Sequence, residues 1–142
     1  MALEEKLTSL ITILLHQELK LKQSAHDLPV LRSVTREEIL KRLTRATDYI
    51  YTFYHRDLSL DELAAAAFLS KFHFLRLFKI VFSQTPHQFI NQVRIEQSRA
   101  LLKQGKLDIK TIASAVGFNA SSSFSRVFYQ HTRVYPTQFQ SE

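Results

Sequence analysis

The chain has 142 residues, 45% of them hydrophobic, which suffices for one packed domain or a domain with an appendage and is too apolar for a disordered chain. Only 2 glycines and 3 prolines argue against β-sandwiches and barrels and exclude a glycine-rich nucleotide loop, and the absence of cysteine removes disulfides, thiol catalysis and Cys-zinc sites. With 19 Lys+Arg against 13 Asp+Glu the net charge is +6, the sign expected of a partner for nucleic acid or another anionic surface.

Leu3, Leu7, Leu10, Leu14 and Leu21 form one helical stripe, and residues 22–34, with Ser24, Asp27 and Pro29, read as a linker. The longest apolar run, Leu10–Leu15, is far too short to cross a bilayer, and the early Glu4 and Glu5 argue against a signal peptide, so the default expectation is a soluble cytoplasmic protein. Thr35-x-x-Glu38 has the pattern of a capping box and predicts a helix from Thr35, carrying Ile39, Leu43, Ala46, Ile50 and Phe53. Ser59-x-x-Glu62 opens a second helix with Leu60, Leu63 and Ala64. Ser70 caps a third, with Phe74, Leu77, Phe78 and Val81 inward. Thr85-Pro86 starts a long helix that stops near Gly105, since proline at the first helical position loses nothing by lacking an N–H. Asp108 caps the next, with Ile109, Ile112 and Ala113, and Gly117 ends it. Asn119 or Ser121 opens another, with Phe124, Val127 and Phe128 inward. Pro136 starts a last short turn or helix ending near Phe139.

The chain repeats itself. Phe74-x-Arg76-Leu77-Phe78 recurs as Phe124-x-Arg126-Val127-Phe128, and Pro86-x-Gln88-Phe89 as Pro136-x-Gln138-Phe139, both displaced by 50 residues. Upstream the displacement is 49, taking Leu60, Leu63 and Ala64 to Ile109, Ile112 and Ala113, so the second turn holds one extra residue. Each copy reads as a short helix, a tight turn and a second helix with paired aromatics on one side and an arginine on the other, the layout of a helix-turn-helix.

Leu58-Ser59-Leu60-Asp61-Glu62-Leu63-Ala64, Ser70, Arg76-Leu77-Phe78-Lys79, Pro86, Val93-Arg94-Ile95-Glu96, Val116-Gly117-Phe118, Phe124-Ser125-Arg126-Val127-Phe128 and Pro136-x-x-Phe139 together resemble the DNA-binding domain of AraC/XylS-type transcription regulators. The resemblance implies an all-α fold: two helix-turn-helix subdomains joined by a long connecting helix, about Pro86 to Gln104, within a domain spanning 35–142, with an additional N-terminal helix and linker in 1–34. It implies sequence-specific binding of double-stranded DNA, two successive major-groove segments being read by helices near 71–81 and 120–131. Such domains usually follow a sensing or dimerisation domain. Residues 1–34 therefore read as the remnant of one, the effector domain lying outside this chain. RNA polymerase is a further candidate partner, and the stripe in 3–21 is a candidate dimer contact. The family prefers glycine where this chain has Phe68, Ser83 and Arg133, positions expected to hold a left-handed backbone.

The exposed faces of the two reading helices supply the candidate contacts. Arg76 and Arg126 are expected at base edges, because a guanidinium grips guanine O6 and N7 together. Ser121, Ser122 and Ser125 are short donors in reach of bases, and Phe72 and Leu75 suit thymine methyls or, alternatively, packing on a neighbouring helix. Ser70, Lys71, Lys79 and Tyr129 are assigned to phosphates. Arg94 and Glu96 read as a structural ion-pair network. The six histidines show no ligand spacing, and no nucleophile or acid–base constellation is present, so neither metal, cofactor nor enzymatic activity is expected. The rival reading is a helical protein-interaction module that uses the leucine stripe.

Overall fold

The computed structural model describes residues 28–141, with side chains from residue 35 onward. The expected N-terminal stripe at 3–21 lies outside the described residues. The described chain is a series of helices: α1 Leu28–Phe53, α2 Leu60–Ala66, α3 Lys71–Phe82, α4 Pro86–Gln104, α5 Ile109–Ala115, α6 Ser121–Thr132 and α7 Pro136–Ser141. None of the described helices is long and apolar enough to cross a membrane. Two compact units emerge: one joins the described residues up to Thr47 with Leu60–Pro86, the other joins Asp48–Ser59 with the chain from His87 on.

Two helix starts differ from expectation. α1 begins at Leu28, so residues 28–34 are helix and not linker, and Thr35 lies within the helix. Pro29 is compatible with this because it falls in the first turn, where no intrahelical N–H bond is lost. Glu38, freed from a capping role, pairs instead with Arg42 one turn on (Oε1 to Nε, 3.2 Å). α6 is preceded by Ala120 in an extended conformation, with no side-chain cap bond, so neither Asn119 nor Ser121 caps it. The other starts follow the sequence: Ser70 accepts the His73 N–H at 3.2 Å, and Asp108 accepts that of Thr111 at 2.7 Å. α7 opens with the backbone N–H of Tyr135 donating to the side chain of Gln138 at 2.9 Å, half of a capping box just ahead of Pro136.

In the first unit Leu43, Ala46, Leu63, Ala67, Phe74 and Phe78 are fully buried, and the Phe78 ring lies 5.5 Å from Phe74 and 4.5 Å from Phe82. Ala64 on α2 and Ala67 just after it are small where α3 must approach. In the second unit the core is Ile95, Leu102, Ile112, Ala113, Val116, Phe118, Phe124, Val127 and Phe128, with Phe139 of α7 closing edge-on against Phe128. The repeat therefore buries the same side chains twice. From Lys71 to Lys79 and from Ser121 to Tyr129 the order of exposed, half-buried and buried residues is identical position by position.

All three positions expected to be left-handed are so: Phe68 has φ 56°, Ser83 58° and Arg133 65°. The last two end α3 and α6, each returning its N–H to the last turn, to the carbonyls of Lys79 and Tyr129. The turn at Arg133 is braced by Thr132, whose hydroxyl donates to the Phe128 carbonyl and accepts the Val134 N–H. Gly117, at φ 108°, is tighter still, since a Cβ there would stand 2.9 Å from both the Tyr54 carbonyl and Arg94 Nε.

Arg94 explains that crowding. Its side chain on α4 is buried, with Nε donating to the Tyr54 carbonyl at 2.7 Å and Nη2 to the Arg56 carbonyl at 3.0 Å, and its guanidinium 5.6 Å from the centre of the Phe118 ring. Burial pushes its pKa below the ordinary arginine value, while the Asp57 carboxylate works in the opposite direction. The expected ion-pair network is corrected accordingly: Arg94 is held by backbone carbonyls, and Glu96 accepts from Gln92 at 3.2 Å.

Two measurements check these local constraints. Arg133→Gly should raise the unfolding free energy by about 0.5 kcal/mol, because relief of a left-handed cost of ~1 kcal/mol is partly offset by glycine's freedom in the unfolded chain. Gly117→Ala, read in the same denaturant titration, should lower it by more than about 2 kcal/mol, through both the φ and the collision with Arg94. On the acid side, hydrogen bonds from Thr111 hold the Asp108 carboxyl below its ordinary value of 3.8. Its contribution is therefore complete above that value and disappears as pH falls through the depressed folded one. Asp108→Asn keeps a capping oxygen, so its melting temperature should lie below that of the parent at pH 6 and converge with it as the pH drops under 3.8.

Candidate nucleic-acid interface

α3 begins at its Ser70 cap and presents Lys71, Phe72, Arg76 and Lys79 to solvent, with Leu75 half-buried. Phe72 is 63% exposed. The Arg76 guanidinium stands 5.4 Å over the Phe72 ring, so the aromatic face steadies the cation one turn away. Among the described residues Arg76 has no acidic partner. Just upstream, in the same unit, Phe68 is 68% exposed with Arg45 5.2 Å over its ring, and its carbonyl accepts from Arg42 at 3.1 Å.

α6 presents Ser121, Ser122, Arg126 and Tyr129, with Ser125 half-buried. Arg126 is exposed and, among the described residues, makes no ion pair. Tyr129 stacks on Tyr135 with ring centres 4.7 Å apart and 25° between planes, which limits where its hydroxyl can point. Because Ala120 offers no acceptor, no side chain caps the first amides of α6. Lys103 sits over the Phe139 ring at 4.8 Å.

Beside α6 lies a cleft of about 300 Å³ in the second unit. His87 and Asn91 reach it from the first two turns of α4, Asn119 from the turn, and Ser123 and Arg126 from α6, with Arg94 and Asp57 also on its wall. None of His87, Asn91, Asn119 and Ser123 is among the site residues expected from the sequence, where Asn119 stands only as a candidate helix cap. Taken singly, these residues carry no sequence signal that sets them apart from solvated surface. Among the described residues no group of histidines and acids is placed to hold a metal ion.

Comparison with known proteins fits this arrangement. A helix-turn-helix domain family model matches residues 63–142. The MmsAB operon regulatory protein of Pseudomonas aeruginosa is 32% identical over 120 residues, 84% of this chain. The probable transcriptional regulator LumQ of Photobacterium leiognathi is 31% identical over 93 residues, 66% of this chain. In both cases the chain spans 38% of the relative's length. Among solved structures, an AraC-type transcriptional regulator from Chromobacterium violaceum superposes with a TM-score of 0.68 at 26% identity, covering 72% of this chain and 91% of that one. The DNA-binding domain of AdpA, solved in complex with a target DNA, shares the fold with a TM-score of 0.66 at 21% identity, over 70% of this chain and 89% of that one. The chain belongs to the AraC-type helix-turn-helix family, the DNA-binding domains of bacterial transcription regulators.

Proposed function

We propose that this chain is the DNA-reading part of a longer regulator and that α3 and α6 each enter a major-groove segment of double-stranded DNA. The observation that carries the reading is the duplicated exposure pattern. Arg76 and Arg126 occupy the same place in two copies of one helix, both in water and neither engaged by an acid among the described residues. A free guanidinium on a groove-sized helix fits the O6/N7 pair of guanine. On this reading Phe72 and Leu75 press on thymine methyls, while Ser121, Ser122 and Ser125 donate to bases. Ser70, Lys71, Lys79 and Tyr129 hold phosphates, Ser70 and Lys71 together with the N-terminus of α3 that they open. The bound site is bipartite and non-palindromic. The regulator would act in the cytoplasm at the nucleoid. Contact with RNA polymerase and pairing through residues 3–21 are further proposals for the whole regulator.

In vitro selection of bound duplexes followed by footprinting tests the reading, and two protected segments about one helical turn apart are expected. Against the selected duplex, Arg126→Ala should weaken binding by roughly ten- to a hundredfold and flatten the preference at one base pair. Lys71→Ala and Lys79→Ala should weaken all duplexes alike, each reducing the salt slope of log Kd by about 1. Binding indifferent to Arg126→Ala and to a severalfold rise in salt would sink the proposal.

A further inference from the structure

The cleft beside α6 gathers four side chains that the reading above leaves unused, His87, Asn91, Asn119 and Ser123, next to the base-reading Arg126. His87, Asn91, Asn119, Ser123 and Arg126 all end on a volume of about 300 Å³. Among the described residues none of the five finds a hydrogen-bond or ionic partner within the protein. Five side chains with hydrogen-bond donors, from three separate segments, thus line one cleft without a partner among the described residues. The wall is electropositive on balance, with Arg94 and Arg126 against Asp57, and the Asp57 charge is drawn toward Arg94. The first turns of the 19-residue α4, which carry His87 and Asn91, add the positive end of a helix dipole. Donors outnumber acceptors, and their preferred guest is a compact oxyanion with several acceptor oxygens.

We infer that this cleft binds a phosphate group, held by His87, Asn91 and Asn119 with Ser123 and Arg126 at its edge. Two sources share that chemistry: the backbone of the duplex whose bases Arg126 reads, and a free phosphate. The first rests on the proposed function, since the cleft opens beside the reading helix. A backbone phosphate seated there fixes the register of α6 in the groove and carries no sequence information itself.

The test places a carboxylate in the cleft. Asn91→Asp is compared with Gln104→Asp, which makes the same change of charge at an exposed site on the last turn of the same helix. Duplex binding is followed by fluorescence anisotropy, and the folding of each variant by thermal melt. Asn91→Asp should lose at least about tenfold more affinity than Gln104→Asp, because a carboxylate facing a phosphate is repelled at contact distance. A second variant, His87→Ala/Asn119→Ala, alters only exposed side chains and should weaken selected and random duplexes by the same factor. It also decides the matter if Asn91→Asp fails to fold. In a parallel arm, the side-chain amide resonances of Asn91 and Asn119 are followed by NMR as inorganic phosphate, or duplex, is added to the parent chain. Shifts with both probes assign the cleft to phosphate in general, and shifts with duplex alone assign it to the backbone. Equal losses for the two aspartate variants, an unaffected double variant, or resonances unmoved by either probe would overturn the inference. If Arg126→Ala still weakens the selected duplex in that event, the reading helices stand and only the cleft is reassigned.

Discussion

The second unit is organised around one buried cation. Arg94 donates from Nε and Nη2 to two carbonyls, those of Tyr54 and Arg56, just past the end of α1. Those carbonyls follow a helix end and have lost their intrahelical donors, so the guanidinium satisfies groups that would otherwise be costly to bury. A hydrophobic residue in its place would leave both acceptors dry and unmatched. The arrangement also dictates the residue opposite: only Gly117 leaves room for the guanidinium plane, and the Phe118 ring beside it offers its face to the charge. The turn that aims α6 is thus fixed by a side chain on α4, and the exposure of Arg126 follows from it at one remove.

Much of this is legible in the sequence because it is local or repeated. Helix caps at Ser70 and Asp108 depend on residues three apart, and the paired phenylalanines recur 50 residues on, so that a single pattern is read twice. The left-handed positions are also legible, once the family's glycine preference is set beside Phe68, Ser83 and Arg133. What escapes is of two kinds. Some signals have two physical meanings: Thr35-x-x-Glu38 can cap a helix or lie inside one, and Pro29 tolerates an earlier start. Other features are non-local. The partners of Arg94 lie 38 and 40 residues away, and the cleft draws on three segments whose polar residues, taken singly, look like ordinary solvated surface.

The uncapped start of α6 belongs to the first kind. Asn119 and Ser121 invite a capping assignment, yet the extended residue is Ala120, and the serines at 121, 122 and 123 fall on the first helical turn. Their hydroxyls are consequently not needed to close the helix at that point. A serine that caps has its oxygen tied to a backbone amide, as Ser70 does at α3. At α6 the exposed hydroxyls and the amides of the first turn point to the same end of the helix, where an external acceptor can meet both.

The duplicated units also show how one position can take on different work. Phe68 and Gly117 correspond under the 49-residue displacement, and both have positive φ. In the second unit the missing Cβ is required, because the guanidinium of Arg94 occupies the space. In the first unit the same backbone conformation carries a phenylalanine that is 68% exposed, with Arg45 over its ring. The left-handed turn is therefore a property of the helix-turn-helix itself, demanded by the angle between its helices, whereas the glycine is a property of the clamp. A left-handed cost of ~1 kcal/mol is small enough for the first turn to carry a side chain; a collision at 2.9 Å with a buried guanidinium and a carbonyl leaves the second turn no such latitude.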